Sequence, residues 1–558
     1  MFAILLIASL FCQGLTIVSY GDNFITAFPE NIGYFYPHNS MEIIRVTALH
    51  DNTTFNVIYR GTQKTISISQ SGETSAVTIQ GSFEVNQLNQ YNKSVRITSD
   101  KNITVVSYSC REDSVQTNVV QPTTNLGTNY LIPSLNYTEL LASFTQFNSA
   151  SGSMRYSTFK LLIINAVGNE NNITLFKKTE TDIEEETLRL EAYQLFQVLT
   201  NGSVVRVESS HEIAVILTHP CAETAGCTCN MVVNQILPTK FQGQNFVVPS
   251  ILNTALTELL VATDQNTSSL FYNSTQLQPI SNSSMLLPFP YLQTASQYLT
   301  ASENVSVRLL SPGLIMELIP ENMFSACYLL QFFSSKGQAF VIAETDSRDD
   351  VHIQDSPLSA QWTEITGTKY SSAIVTLNYQ TAVIWHRTSR IAVYMLDSRN
   401  TIVFGGPAIS INERPDYYGC VVMPGQFQVG NDKMTWLESR EYCMTTTNQF
   451  ACPINEDMLK DMTSNLSSQQ GQVWIGLRRS LLTTELYWQD ESENSPPVTY
   501  VNWASNKPQK LWRGLCMSMD PENEFKWKNA RCCNKKKPVC YKRPNYLTPS
   551  QIITTSSW

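Results

Sequence analysis

Val95-Arg-Ile-Thr-Ser-Asp-Lys-Asn-Ile103 and Val205-Arg-Val-Glu-Ser-Ser-His-Glu-Ile213 share one pattern. Apolar residues at each end flank a polar centre, so each reads as strand, short turn, strand. Weaker copies run from Val307 (VRLLSPGLI) to Ile315 and from Val383 (VIWHRTSRI) to Ile391. A second element recurs at identical internal spacing. Pro122-Thr123, Gly127, Tyr130, Ile132 and Pro133 match Pro238-Thr239, Gly243, Phe246, Val248 and Pro249. The copies lie too far apart and too unevenly for a solenoid. They fit tandem β modules of roughly a hundred residues, read as sandwiches.

The stretches between agree with a mainly β front region over residues 22–410. Lys64 to Ser69 (KTISIS) alternates strictly, as a half-buried strand does. Leu161 to Ala166 and Asn172 to Phe176 flank a turn-forming stretch and predict a hairpin. Leu188 to Val198 fits either period and is read as strand from its neighbours.

Composition bounds the rest. A chain of 558 residues has room for about three to five domains. With 42% hydrophobic and 15% charged residues it is globular, and a net charge of -9 disfavours nucleic-acid partners. Phe2 to Cys12 is an apolar run too short to span a bilayer and suited to a secretory signal, with cleavage expected between residues 14 and 21. No later run has the length of a membrane helix. The expected location is extracellular. Eleven Asn-x-Ser/Thr sequons accord with it: Asn52, Asn92, Asn102, Asn136, Asn172, Asn201, Asn266, Asn273, Asn282, Asn304 and Asn465. Residues 545–558 read as a polar tail.

Catalytic chemistry finds no residues to carry it. His211-Glu212 lacks the second histidine of a metalloprotease helix, and no nucleophile elbow or phosphate-binding loop is present. The Cys227-x-Cys229 pair has no further ligands to complete a zinc site, so no metal or cofactor is expected.

Residues 415–544 have another character. Lys433 to Cys443 reads as a helix offering Trp436, Leu437 and Tyr442 to a core. Asn455 can cap a second helix that places Met458, Leu459 and Met462 on one side. Trp474-Ile-Gly-Leu477 reads as a buried strand and Leu486-Tyr-Trp488 as the next.

Two resemblances follow. Val105 to Pro133, with the HPC…CNMVVNQILPT run inside Val215 to Pro249, resembles the N-terminal region of IgG Fc-binding proteins over about residues 25–400. That resemblance implies a secreted, mucus-associated binding protein, with mucins or immunoglobulin as partners by analogy. The chain lacks the dense cysteines of that family's von Willebrand D-type repeats, so mucin-like covalent assembly does not carry over. Cys443, the WIGL run at Trp474, Cys516, Trp527, Cys532 and Cys540 are similar to those of a C-type lectin domain, an α+β fold. The lectin resemblance implies disulfides Cys443–Cys540 and Cys516–Cys532. Of the remaining cysteines we expect Cys452 to pair with Cys533, a bridge within Cys221, Cys227 and Cys229 (Cys221–Cys229), and Cys420 to pair with a front cysteine.

The lectin family's calcium ligands can be followed position by position. Its Glu-Pro-Asn triplet is Lys507-Pro508-Gln509 here, its acid before the third cysteine is missing from Leu511-Trp-Arg-Gly-Leu515, and its Trp-Asn-Asp triplet is Trp527-Lys528-Asn529. Calcium wants six to eight oxygen ligands, and lysine stands at two of those positions. The principal calcium site is therefore expected to be lost, with Pro508 cis for structural reasons. What replaced the acids is basic: Lys507 to Arg543 carries eleven Lys or Arg against three acids. Lys507, Gln509, Lys510, Trp512, Arg513 and Lys528 are the candidate binding residues, suited to sulfated or sialylated glycans or to glycoproteins. The competing readings are a structural mucus or matrix component and a calcium-dependent lectin.

Overall fold

The computed structural model describes residues 17–31, 40–80, 83–112, 114–135, 159–179, 182–200, 202–224, 228–250, 258–265, 267–272, 275–277, 279–280, 283–288, 296–311, 314–399, 402–446, 449–466, 471–489 and 497–549. The chain forms two units: Met1–Cys420 with Leu547–Trp558, and Val421–Tyr546.

The front unit is four β modules. In the first, the polar centre of the repeated segment is a bend inside one long strand, Val95–Arg111, and not a turn between two. Phe55–Ile58 and Phe24–Thr26 pair with its first half, Met41–Ala48 and Ser114–Val120 with its second. Two half-sheets thus share one strand. Phe24, Ile44, Val46, Phe55, Val57, Ile97, Ile103 and Val105 fill the space between them. A twisted strand can pass from one sheet to another at such a bend. Val204–Thr224 and Gln297–Ser311 do the same in the second and third modules. In the fourth, the strand breaks between Thr381–His386 and Ala392–Arg399, leaving two separate five-stranded sheets.

Register corrects two expectations. Gly21 opposes Ile103, Gly243 opposes Val305 and Ser325 bridges Ile391, so the third copy of the repeat is Gln297–Val305. The Val307–Ile315 match has the same anchor spacing, but it spans the connection between strands Gln297–Ser311 and Leu314–Glu317. The hairpin expected from Leu161–Ala166 and Asn172–Phe176 does not form. Phe159–Asn165 pairs with Ile213–Thr218 and Asn171–Lys178 with Val204–Ser209, two different halves of the long strand. Leu188–Val198 is strand at both ends, with a turn at residues 191–194 between them.

The Pro-Thr motif has a physical reason. Pro122, Pro238 and Pro320 each precede a 3-10 turn, at φ −62°, −61° and −67°. Each lies against the glycine that opens the preceding module. A Cβ on Gly21, Gly127 or Gly243 would meet the proline Cβ at 2.8, 2.8 and 2.3 Å. The motif therefore couples one module to the next. Side-chain bonds then close the four into a ring. Ser114 Oγ donates to Asn230 Oδ1 (3.1 Å), Arg308 Nε to Asn234 Oδ1 (3.3 Å), Ile319 N to Tyr394 Oη (2.9 Å) and Arg45 Nη1 to Phe332 O (2.7 Å). Ser19 N donates to Ser410 O at 2.8 Å, tying the start of this unit to its last module. Strands Ser114–Val120, Thr228–Ile236, Leu314–Glu317 and Ile402–Pro407 surround a central cavity lined by Val119, Gln235, Met316, Glu317 and Gly406.

Burial in the first module carries a pH signature. Glu42 is 1% exposed, and burial, with the charge of Glu84 adding, pushes its carboxyl up to about 7 against the bond from Ser40. A raised folded value means that stability is full below the unfolded value near 4.5 and is lost as pH rises toward 7. Glu42→Gln removes that loss, worth up to about 3 kcal/mol. We expect the variant to melt above the parent at pH 8 and together with it at pH 4; equal melting at pH 8 contradicts the assignment.

In the second unit, α1 (Trp436–Thr446) and α2 (Glu456–Leu466) accompany a six-stranded sheet. Thr435 and Glu438 bond reciprocally across the start of α1, and Asn455 Oδ1 accepts from Met458 N at 2.7 Å at the start of α2. Trp436, Trp474 and Trp527 are fully buried; Trp436 Nε1 donates to Ile475 O and Trp474 Nε1 to Met434 O. Leu437, expected in this core, is 55% exposed because it lies about 100° round α1 from the buried Trp436. Asn545–Tyr546 pairs with Val421–Met423, so the start of the expected tail is structured. Within the front unit, Leu547 N donates to Cys420 O. Among the described residues, no helix is long and apolar enough to cross a membrane.

Candidate functional site

Strand Lys526–Ala530 organises the loops of the second unit. It alternates, so Trp527 and Asn529 are buried while Lys526, Lys528 and Ala530 face the other way. The Trp527 ring meets Trp488, Tyr500 and Trp503 edge-on at 5.8, 5.9 and 5.9 Å, a geometry the aromatic quadrupole favours. Two positions on, Asn529 holds the neighbouring loop. Its Oδ1 accepts from Gln509 N (2.9 Å), and its Nδ2 donates to Gln509 O (3.3 Å) and Gly514 O (3.1 Å). Gly514, at φ +138°, lies so close to this strand that a Cβ would stand 2.0 Å from Ala530 C. The Lys507–Pro508 bond is cis.

The six candidate binding residues divide. Lys507, Gln509, Lys510, Trp512 and Arg513 share the loop that Asn529 holds. Trp512 is 70% exposed, with Lys510 Nζ 5.0 Å from its ring centre. Lys528 lies on the opposite face of its strand and donates to Asp520 Oδ2 at 2.7 Å. Burial pushes the Asp520 carboxyl up, but the bond and charge of Lys528 outweigh it and hold the group below the ordinary aspartate range. Lys526 Nζ donates to Asn502 Oδ1 at 2.7 Å. Both lysines are thus taken up by oxygen acceptors within the domain. The Asn529 latch escaped the sequence reading, although its polar side chain beside a buried tryptophan was a usable signal.

Disulfides join Cys443 to Cys540, Cys516 to Cys532 and Cys327 to Cys420. Cys452 and Cys533 are not bonded to each other, contrary to expectation. Cys452 is buried against Gly476 with its thiol directed at Phe450 O, whereas Cys533 sits exposed in the turn after Cys532. The side chains of Cys221 and Cys229, and all of Cys227, lie outside the described residues. Of the sequons, Asn52, Asn92, Asn172 and Asn304 are exposed and Asn102 is half-buried. Asn136, Asn201, Asn266, Asn273 and Asn282, and the side chain of Asn465, lie outside the described residues. Among the described residues, no group of His, Cys, Asp and Glu is arranged to hold a metal ion.

Comparison with known proteins follows the same division. The family model for IgGFc binding protein matches residues 116–396, and that for the lectin C-type domain matches residues 432–542. Human IgGFc-binding protein is 23% identical over 381 residues, which cover 64% of this chain and 7% of the human protein. The chain therefore spans a small fraction of that relative's length. Mouse lithostathine-1 is 23% identical over 114 residues, 20% of this chain and 67% of the mouse protein. A solved human lithostathine is similar at 21% identity and a TM-score of 0.19, covering 21% of this chain and 92% of its own. With half of its length matched by the first of these models, and a lectin C-type domain behind it, the chain belongs to the IgGFc-binding protein family.

Proposed function

We propose that this chain is a secreted glycoprotein that recognises anionic glycans or glycoproteins without calcium, through the 507–513 loop of its lectin domain. The observation that carries the reading is the Asn529 amide, which makes three hydrogen bonds to a loop whose carboxylate ligands are replaced. A neutral latch needs no ion. Lys528 stands in the sequence where the lectin family carries an oxygen ligand, and its own charge is taken up by Asp520. The loop then presents Lys507, Lys510 and Arg513 around the exposed Trp512, whose ring offers a flat apolar surface to a sugar face. Localisation outside the cell rests on the apolar leader, the sequons and the disulfides. A binding role accords with both families. Immunoglobulin or mucin binding by the front ring is analogy alone.

Heparin binding by the full-length protein tests the reading. We expect retention at low salt that is indifferent to calcium or chelator and is lost at roughly 0.5 M salt, where the Debye length is about 4 Å. The Lys507→Ala/Lys510→Ala/Arg513→Ala variant should lose it. Retention that requires calcium, or that survives the triple substitution, overturns the proposal.

A further inference from the structure

Among the described residues, the three most exposed large apolar side chains of the second unit lie at one end of its sheet. Strand Val473–Arg479 finishes beside the start of Cys516–Asp520: Arg478 pairs with Cys516, and Arg479 N donates to Leu515 O at 2.9 Å. Cys516 in turn opposes Ala530, so Arg531 leaves the sheet at the same end. From that end project the 480–485 connection and the 511–515 segment. Ser480 N donates to Glu485 O across the first, which leaves Leu481 70% and Leu482 95% exposed at its tip. Trp512, 70% exposed, stands on the second. Two leucines on one projecting segment and a tryptophan on its neighbour are an unusual load for solvent, because exposed large apolar side chains at one end of a domain mark an interaction surface.

The charges around them identify the occupant. Lys510, Arg513 and Arg531 are exposed at this end and Lys507 is half-exposed, against the single exposed acid Glu485 of the 480–485 connection. A protruding apolar tip ringed by cations fits a surface that is soft and apolar within and anionic outside. We propose that this end of the lectin domain docks on an anionic lipid surface. Leu481 and Leu482 enter the boundary between headgroups and acyl chains, Trp512 lies at headgroup level, and Lys510, Arg513 and Arg531 meet the anionic headgroups. The proposal goes beyond the glycan reading, because Leu481 and Leu482 take no part in that reading.

The test uses the full-length chain and sedimentation with vesicles of phosphatidylcholine, alone or with about 30% phosphatidylserine. Binding to the anionic vesicles is expected, with little to the neutral ones, and a blue shift of tryptophan emission that is absent from Trp512→Phe. Leu481→Ser/Leu482→Ser should lower vesicle binding at least about tenfold while heparin retention stays at the parental level. Both leucines are solvent-exposed, so an unchanged melting temperature confirms that the variant folds. No binding to either vesicle, or equal binding by the serine variant, overturns the proposal. So does protection of Leu481 and Leu482 by a soluble protein partner without vesicle binding.

Discussion

Replacing Arg308 with methionine should cost the front unit about 3–5 kcal/mol, the penalty for stripping a buried carboxylate of its partner. Arg308 is 1% exposed, and its Nε stands 2.7 Å from Glu317 Oε2 and 3.3 Å from Asn234 Oδ1, with Nη1 on Ser306 Oγ at 3.2 Å. Burial already raises the Glu317 carboxyl, and Arg308 is what opposes that rise. Without Arg308 the folded value climbs further, so the folded state takes up a proton that the unfolded chain does not hold at neutral pH. The loss should therefore be largest at pH 8 and shrink as pH falls toward the unfolded glutamate value near 4.5. Arg308→Met/Glu317→Leu removes both charges and should recover most of the loss, since a packed apolar pair often equals a buried ion pair. The measurement is the melting temperature of parent, single and double variants at both pH values. A single variant as stable as the parent, or a double no better than the single, defeats the argument.

This ion pair also marks where sequence reading stops. The repeated segment, the Pro-Thr motif, the WIGL strand and the Asn455 cap are local patterns, decided by residues a few positions apart, and the structure contains each of them. Ring closure is different. It depends on Ser114 meeting Asn230, on Arg308 meeting Asn234 and on Ser19 meeting Ser410. Nothing periodic announces polar contacts between residues so distant in the chain. Anchor spacing alone points to Val307–Ile315 as the third copy, because it cannot separate a bent strand from a turn. Gln297 had replaced the apolar first anchor, which hid the true copy.

In the second unit the same limit falls on side chains. The cysteine and tryptophan spacings identified the domain, yet charge counting could not foresee that Lys528 would pair with Asp520 while Lys510 stayed in solvent. Strand alternation sends neighbouring positions to opposite faces, and the loop packs on only one of them. The Cys452–Cys533 expectation failed for a related reason. Counting assigns leftovers to each other, whereas burial placed one thiol in the core and the other in solvent.

The Cys327–Cys420 bond should matter more to stability than Cys516–Cys532 does. It closes a loop of 93 residues that contains the whole fourth module. In the chain-entropy model a loop of that length restricts the unfolded state by on the order of 4–5 kcal/mol, against about 3 for a loop near fifteen residues. Cys516–Cys532, with a separation of 16, is of the second kind. The anchor points add to the expectation. Cys327 opposes Trp385 in the strand pairing of this module, and Leu547 N donates to Cys420 O, so the bond pins both the module's first strand and the chain that returns to the unit. Cys327→Ala/Cys420→Ala should therefore lower the melting temperature of the front unit and open the fourth module to proteolysis before the other three. If the variant melts with the parent and its fourth module is cleaved no earlier, the native packing holds that module without the bond, and the entropic account of it fails.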